Sequence, residues 1–293
     1  MQDNKWMNWV LFIGLSVIWG SSFQLMKTGM EALSAYQVAA LRMASAGIVL
    51  LPFFIRALRN IPKQKIVLIV WSGLLGNFFP SFLFCIAETR IDSALAGILN
   101  ALTPLFTILV SVSFFQAKVS WNKWLGVSIG FIGLCLLFLS KGVPDLSYVS
   151  YSSLVLVATI CYGLNVNLVS RHLQGIDSIH IASAALGFLL LPALLTLFIS
   201  GYFNHDFTAT PVLFSTGASV VLGALGTALA SILFYMLVKR AGVIFSSMVT
   251  YGIPFVALIW GFLAHEEITL LQIGCLGIIL AGVWVTNKKI KGA

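Results

Sequence analysis

Two prolines lie inside apolar stretches of this chain, and each follows a polar residue at the same distance. Pro104 comes four residues after Asn100, with Thr103 between them, and Pro254 comes four residues after Thr250. A proline in a helix donates no amide proton and pushes away the carbonyl four residues earlier. We therefore expect two helix kinks, at which a freed carbonyl and polar side chains gather at one depth. Paired interruptions in matching halves of a membrane chain indicate a central site.

Uncharged polar and aromatic side chains at similar depth could bind a polar solute without holding it too tightly. They belong to the first, third, fourth, sixth, eighth and ninth of the apolar segments given below, and we expect these segments to line one path. The candidate substrate-binding residues are Trp19, Ser22, Gln24, Asn77, Phe78, Asn100, Thr103, Tyr162, Asn165, Asn167, Thr227, Ser231, Tyr235, Thr250 and Tyr251. Each has a structural alternative, because Ser, Thr and Asn often bond to a neighbouring membrane helix, for about 0.6 kcal/mol, and Trp and Tyr often anchor a helix at the interface.

Arg42 lies inside the second apolar segment, where a charge costs roughly 2.5 to 3.5 kcal/mol on insertion scales. Its long side chain could reach back to the membrane surface, or its guanidinium could clamp a substrate carboxylate. A shift of 140 residues pairs it with Ala182, which has no charge. We therefore favour a structural or gating role for Arg42.

Enzyme chemistry is not indicated by the sequence. A membrane enzyme would need paired acids, a Cys/His couple or metal ligands at membrane depth, and the apolar segments contain no Asp or Glu in their interiors. We expect no catalytic residue, no metal and no cofactor. Proton-driven carriers usually hold a carboxylate or histidine in the membrane, so we also expect transport without obligatory proton coupling. His180, near the start of the seventh segment, is expected to be a packed or interfacial side chain.

Composition identifies an integral membrane protein. Charged residues make up 9 % of the 293 residues and hydrophobic residues 59 %, whereas a soluble domain has about 25 % charged residues. A membrane helix needs roughly 20 apolar residues, which leaves room for about ten. The predicted segments are 9–26, 35–55, 66–87, 93–115, 121–140, 153–169, 179–200, 212–238, 243–264 and 268–286.

The basic residues outside these segments predict the orientation of the chain. Thirteen Lys and Arg residues fall on the side of the N-terminus, and only Lys27, Arg90 and Lys141 fall on the other side. Positive charge stays on the cytoplasmic side, so both termini are expected to be cytoplasmic. The net charge of +8 does not indicate nucleic-acid binding, because no basic cluster is long or interleaved with aromatic residues.

The chain repeats itself with opposite orientation. A shift of 150 residues places Phe84 on Phe234 and Pro104 on Pro254, and it also pairs two arginines, Arg90 and Arg240. Because each half contains five segments, an odd number, the second half enters the membrane from the opposite side. We predict two inverted five-helix repeats, residues 1–145 and 146–293, as in many secondary transporters.

Small residues predict a close helix pair. Gly126, Gly130 and Gly133 recur on one side of the fifth segment, and Gly274 and Gly282 lie in the tenth. Such residues let helix backbones approach closely. The two helices could pair with each other or with a second copy, so the sequence allows a monomer or a homodimer. The four cysteines are interpreted as free, buried thiols.

Several short motifs together resemble a known family. The stretches that carry the resemblance are Ile18-Trp19-Gly20-Ser21-Ser22-Phe23, Ala40-Leu41-Arg42-Met43, Phe262-Leu263-Ala264-His265-Glu266-Glu267-Ile268-Thr269, Gly274 and Ala281-Gly282-Val283. They look like the EamA-type permeases of the drug/metabolite transporter superfamily. The resemblance implies an all-α, ten-helix, inverted-repeat permease of the bacterial inner membrane. Such permeases move small metabolites, often amino acids, usually outward.

The function expected from the sequence is a secondary transporter that exports amino acids or related amphipathic solutes by alternating access through a central cavity. The expected partners are a small-molecule substrate and the lipid bilayer. An uptake carrier, or a drug or metabolite exchanger, of the same fold stays open. So does a non-transporting membrane scaffold, which would tolerate Leu at Asn100, Asn165 and Asn167.

Overall fold

The computed structural model describes residues 5–91, 93–139, 149–256, 259 and 269–287. Within these ranges the secondary structure is helical, and no strand is present. Helices are the expected solution for an apolar chain in lipid, since every backbone group must bond within its own segment. The predicted boundary between the repeats and the predicted end of the ninth segment lie outside the described residues, as does the motif with Glu266 and Glu267.

The described part of the chain contains the following helices, numbered in chain order. They are α1 Lys5–Met30, α2 Ala35–Asn60, α3 Lys63–Ala87, α4 in two pieces (Ser93–Asn100 and Thr103–Phe115), α5 Trp121–Leu139, α6 Val149–His172, α7 Ser178–Ile199, α8 Thr210–Ala241, α9 Val243–Val256 and α10 Leu270–Asn287. By length and composition, α1, α2, α3, α6, α7 and α8 could each cross a membrane. The apolar parts of the other four are shorter.

The start of α2 is fixed by a capping box. The Ser34 hydroxyl accepts a hydrogen bond from the Gln37 amide, and the Gln37 side-chain oxygen accepts one from the Ser34 amide at 2.9 Å. These bonds satisfy amides that have no partner within the helix. The Gln37 side-chain nitrogen donates to the Ser200 carbonyl at 3.0 Å. The cap therefore also ties α2 to the end of α7.

Glycines allow two close helix pairs, α2 with α7 and α5 with α10. A Cβ atom on Gly47 would lie 3.0 Å from the Leu186 carbonyl oxygen, and one on Gly126 would lie 2.6 Å from the Gly282 carbonyl oxygen. No side chain larger than hydrogen fits the second position without movement of the backbone. The glycines of α5 and α10 thus pack against each other within this chain. This is one of the two pairings that the sequence left open, the other being a pairing with a second copy.

Both α3 and α8 contain a π-helical turn, Leu74–Phe78 and Ala224–Leu229. The two turns begin 150 residues apart, the displacement that also relates Pro104 to Pro254. Single π-helical turns within α-helices are rare and often occur at functional sites. No pattern in the sequence predicts these turns.

The helix α4 is interrupted before Pro104, as predicted, and its geometry shows where the displaced carbonyl bonds. Ala101 and Leu102 form a turn between the two pieces. The Asn100 carbonyl accepts a hydrogen bond from the Thr103 hydroxyl at 2.6 Å. The carbonyl is therefore satisfied locally and is not free.

The helix α9 changes form before Pro254. Residues Met248–Gly252 form a 3-10 helix, which winds more tightly than an α-helix. The Thr250 carbonyl accepts a hydrogen bond from the Ile253 amide. Both predicted interruptions thus coincide with irregular backbone, but neither leaves an unbonded carbonyl.

Candidate functional site

A central cavity of about 100 Å³ lies between helices of both halves of the chain. Its volume is of the same order as the roughly 150 Å³ cavity that holds benzene in an engineered protein. Walls come from α1, α2, α3 and α4 on one side and α6, α8 and α9 on the other. The predicted residues that line it are Trp19, Ser22, Arg42, Asn77, Asn100, Thr103, Tyr162, Asn165, Ser231, Tyr235 and Thr250.

Hydrogen bonds join the two halves at the cavity wall. The Ser72 hydroxyl donates to the Asn165 side-chain oxygen at 2.6 Å and lies 3.2 Å from the Tyr235 hydroxyl. The Ser231 hydroxyl donates to the Asn77 side-chain oxygen at 3.0 Å. These contacts tie α3 to α6 and α8, and they hold both amide side chains in fixed orientations.

Each of the two π-helical turns places a glycine at the cavity wall. Gly76 and Gly226 occupy equivalent places in these turns, and both line the cavity. The Trp19 indole donates to the Gly226 carbonyl at 3.1 Å. A Cβ atom on Gly226 would lie 2.8 Å from the Ser22 hydroxyl oxygen, and one on Gly76 would lie 2.7 Å from the Asn165 side-chain carbon Cγ. Glycine at these positions therefore leaves space for the polar side chains opposite.

Aromatic rings form the apolar part of the wall. The rings of Phe84 and Tyr162 stack with centroids 6.2 Å apart, and those of Trp19 and Phe234 are tilted with centroids 5.2 Å apart. Phe23 meets Phe84 edge to face at 6.3 Å. Together with the amides, these rings suit a solute that has one polar and one apolar part.

Arg42 lines the cavity and is only partly exposed. Its Nε donates to the Thr227 hydroxyl at 2.7 Å, so the bond joins α2 to α8. Among the described residues that line the cavity, Arg42 alone carries a charge. Thr227 itself is buried and is absent from the cavity lining.

Three further predicted residues lie away from the cavity. The Gln24 side chain is exposed on α1. The Phe78 ring packs against the rings of Phe79 and Phe82, at 6.0 and 4.8 Å. Tyr251 is fully buried and donates to the Val127 carbonyl at 2.8 Å, so it links α9 to α5.

Asn167 contributes to a second cavity, of about 410 Å³. Its side-chain oxygen accepts a hydrogen bond from the Ser111 hydroxyl at 2.6 Å, and its nitrogen donates to the carbonyls of Thr107 and Gly163 at 3.1 and 2.8 Å. The amide therefore ties α6 to the second piece of α4. Three basic residues also line this second cavity, namely Lys118, Lys123 and Arg171.

Metal chemistry has no candidate in the part of the chain that the structure describes. No group of three or more His, Cys, Asp or Glu residues there could hold a metal ion. The four cysteines are free, and three of them are buried. Within the described ranges, the cavity's chemistry is therefore that of hydrogen bonds, aromatic faces and one guanidinium.

The model of the EamA-like transporter family matches the chain twice, at residues 6–139 and 150–288. The chain belongs to this family. The EamA family is a family of membrane transporters and not of enzymes, as the sequence predicts, and this chain is a multi-pass membrane protein.

Curated relatives of this EamA protein span almost the same length. A probable terminal-alkyne amino-acid exporter of Streptantibioticus cattleyicolor is 25 % identical and covers 97 % of this chain and 94 % of its own. An S-adenosylmethionine/S-adenosylhomocysteine transporter of Chlamydia muridarum is 28 % identical, over 85 % of this chain and 81 % of its own. An uncharacterized transporter of Archaeoglobus fulgidus is 23 % identical, over 96 % of this chain and 99 % of its own.

A solved crystal structure shares the fold of this EamA protein. It covers 95 % of both chains with a TM-score of 0.72 and 18 % sequence identity. At this identity the likeness concerns the fold alone.

Ten residues of the cavity wall were not predicted from the sequence, and most of them are apolar residues or glycines. They are Phe23, Met26, Gly76, Phe84, Val166, Gly226, Phe234, Ser246, Ser247 and Ile253. The internal repeat could have predicted some of these residues. The shift of 150 residues pairs Phe84 with Phe234 and Gly76 with Gly226, so one member of each pair could have predicted the other.

Proposed function

We propose that this EamA transporter exports amino acids or related amphipathic solutes by alternating access through the central cavity. In this proposal ten helices form two inverted repeats, residues 1–145 and 146–293, and both termini are cytoplasmic. The protein acts as a monomer or homodimer in the bacterial inner membrane, without a cofactor and without nucleic acid.

The observation that carries the proposal is a cavity built by both halves of the chain. Gly76 and Gly226 enter it from π-helical turns that begin 150 residues apart, and Asn100 and Thr250 enter it from the interrupted helices. A binding site between two repeats lets one repeat rock against the other around a fixed solute, which is the usual basis of alternating access. The combination of amides and aromatic rings supports an amphipathic solute.

The substrate class receives support from one relative, which is named as a probable amino-acid exporter and covers nearly the whole chain. Another relative is named as a transporter of S-adenosylmethionine and S-adenosylhomocysteine, both of which contain an amino-acid moiety. Export, rather than uptake, is the direction that we propose for this chain.

We expect transport to proceed without obligatory proton coupling. The cavity-lining residues that the structure describes contain no Asp, Glu or His, and a proton-driven carrier usually titrates such a group within the membrane. His180 lies outside the cavity, with its Nδ1 3.7 Å from the Asp177 carboxylate.

The test is release of a mixed pool of amino acids and S-adenosylmethionine from liposomes that contain the purified protein, with and without an imposed pH gradient. Selective release at equal rates in both conditions is the expected result. Release only under a pH gradient would contradict the uncoupled mechanism. No release of any solute, compared with protein-free liposomes, would contradict the proposed function.

A further inference from the structure

Arg42 lines the cavity, and only one nitrogen of its guanidinium has a hydrogen-bond partner among the described residues. Its Nε donates to the Thr227 hydroxyl at 2.7 Å. Within the described part of the chain, the two terminal nitrogens make no hydrogen bond, and no carboxylate lies within 4.0 Å of them. Arg42 is therefore held at Nε, and its terminal nitrogens are available to a ligand in the cavity that the residue lines.

A carboxylate is the group that fits these terminal nitrogens. Arginine offers parallel N–H donors in a planar fork, and two carboxylate oxygens accept them with matching geometry. A charge at membrane depth is costly, so a bound anion would lower the energy of the site. The role proposed here therefore differs from the structural or gating role that the sequence favours for Arg42.

The cavity offers no matching acid for an ammonium group. None of the described residues that line it is Asp or Glu. The groups available to the rest of a solute are the Asn77 and Asn165 amides and the rings of Trp19, Phe84 and Tyr162. Amide oxygens and aromatic faces accept an ammonium only weakly compared with a carboxylate, and aromatic faces bind apolar groups equally well.

The charged residues that line the second cavity are positive, as is Arg42 in the central cavity. Lys118, Lys123 and Arg171 line the second cavity, and no acidic residue is found among its described lining residues. Helices α4 and α9 line both cavities. Ser111 and Val243 lie at the second cavity, and Thr103 and Ser246 lie at the central one. A cavity lined by one sign of charge raises the local concentration of solutes of the opposite sign.

We propose that the terminal nitrogens of Arg42 bind the carboxylate of the transported solute, so that the substrates are carboxylates with an apolar or aromatic side group, with or without an amino group. This inference rests on the proposed function, because it assigns a substrate class to the same cavity. Arg42 then determines specificity, and Thr227 positions it.

The experiment compares matched solutes in liposomes that contain the full-length protein. The pool holds phenylalanine, leucine and methionine, together with the carboxamide, the decarboxylated amine and the desamino acid of each. We expect the amino acids and desamino acids to be released about ten-fold faster than the amides and amines, the effect of losing one charged hydrogen-bonded pair. Equal release of amides and amines would overturn the carboxylate site and leave the transporter assignment intact. No release of any member would overturn both.

Substitutions separate binding from structural support. Arg42→Gln is expected to reduce the ratio of acid release to amide release from about ten to about one, since the charged pair is lost for acids only. Arg42→Lys should retain part of the preference, and Thr227→Val should reduce it. Arg56→Gln, on the exposed part of the same helix, is the matched control and should preserve the ratio. If Arg42→Gln does not yield folded protein, the ratio of acid release to amide release in Arg42→Lys and Thr227→Val tests the proposal instead. An unchanged ratio in those variants contradicts the proposal.

Discussion

Replacing Gly76 with alanine is expected to lower the initial rate of solute release about ten-fold, which corresponds to about 1.4 kcal/mol of lost stabilisation. A Cβ atom at this position would lie 2.7 Å from the Asn165 Cγ and closer still to its side-chain nitrogen. Asn165 would have to turn away from the cavity and from Ser72, whose hydroxyl donates to it at 2.6 Å. Overpacking of this kind typically costs about 1 to 3 kcal/mol.

The control for Gly76→Ala is Gly217→Ala, which also lies within a long membrane helix. A Cβ atom on Gly217 would meet nothing within 4 Å, so this variant should transport at the wild-type rate. The measurement is release from liposomes with matched amounts of protein. Wild-type release by Gly76→Ala would mean that the orientation of Asn165 is irrelevant to transport.

Replacing Pro104 with alanine is expected to change stability and transport in opposite directions. Alanine would supply the amide that Pro104 lacks, and that amide could bond to the Asn100 carbonyl, which now accepts from the Thr103 hydroxyl. The two pieces of α4 would then merge. The gain is expected to be well below the about 3 kcal/mol that proline costs in a helix interior, because Pro104 lies in the first turn of the second piece. A straight α4 would move Asn100 and Thr103 from the cavity wall and slow release strongly.

The matched variant is Pro52→Ala, because Pro52 lies inside α2 and is exposed. It should raise the unfolding temperature without slowing release. Both quantities are measured on the same preparations, by thermal unfolding in detergent and by release from liposomes. Faster or unchanged release by Pro104→Ala would show that the interruption of α4 is not needed for transport.

The helical class and the positions of the helix breaks could be predicted from sequence because both follow from local chemistry. Apolar length dictates helices in a membrane, and a proline disfavours a regular helix at its own position. The interruptions coincide with Pro104 and Pro254, whereas Pro52 lies inside the continuous helix α2. The pairing of Asn100 with Thr103 followed from the same argument. The hydrogen-bond partner of each displaced carbonyl could not be predicted, because it depends on the exact winding of the backbone.

The rotation of each helix could not be predicted from polar residues alone. Gln24 and Asn167 are related by a shift of 143 residues, yet the Gln24 side chain is exposed and Asn167 bonds to Ser111 beside the second cavity. A polar residue can face the cavity, a neighbouring helix or the surface, and the energy differences among these are small. Tyr251 illustrates the same point, because its hydroxyl bonds to a backbone carbonyl away from the central cavity.

The π-helical turns were beyond sequence reasoning for another reason. Gly76 and Gly226 have no side chain that signals a site, and their contribution is the space that they leave for Asn165 and Ser22. Such space becomes visible only when the opposing helix is in place. The two turns are displaced by 150 residues, the shift that also pairs Pro104 with Pro254.

The most direct test of the central cavity as the transport path is protection of a cysteine in its wall. In a variant whose four native free cysteines are replaced by alanine, Ser22→Cys places a thiol in the cavity, and Thr208→Cys places one in an exposed loop. A released solute at about ten times its Kd is predicted to slow maleimide labelling at position 22 about ten-fold and to leave labelling at position 208 unchanged. Equal labelling at position 22 with and without a solute that the protein releases would contradict this account.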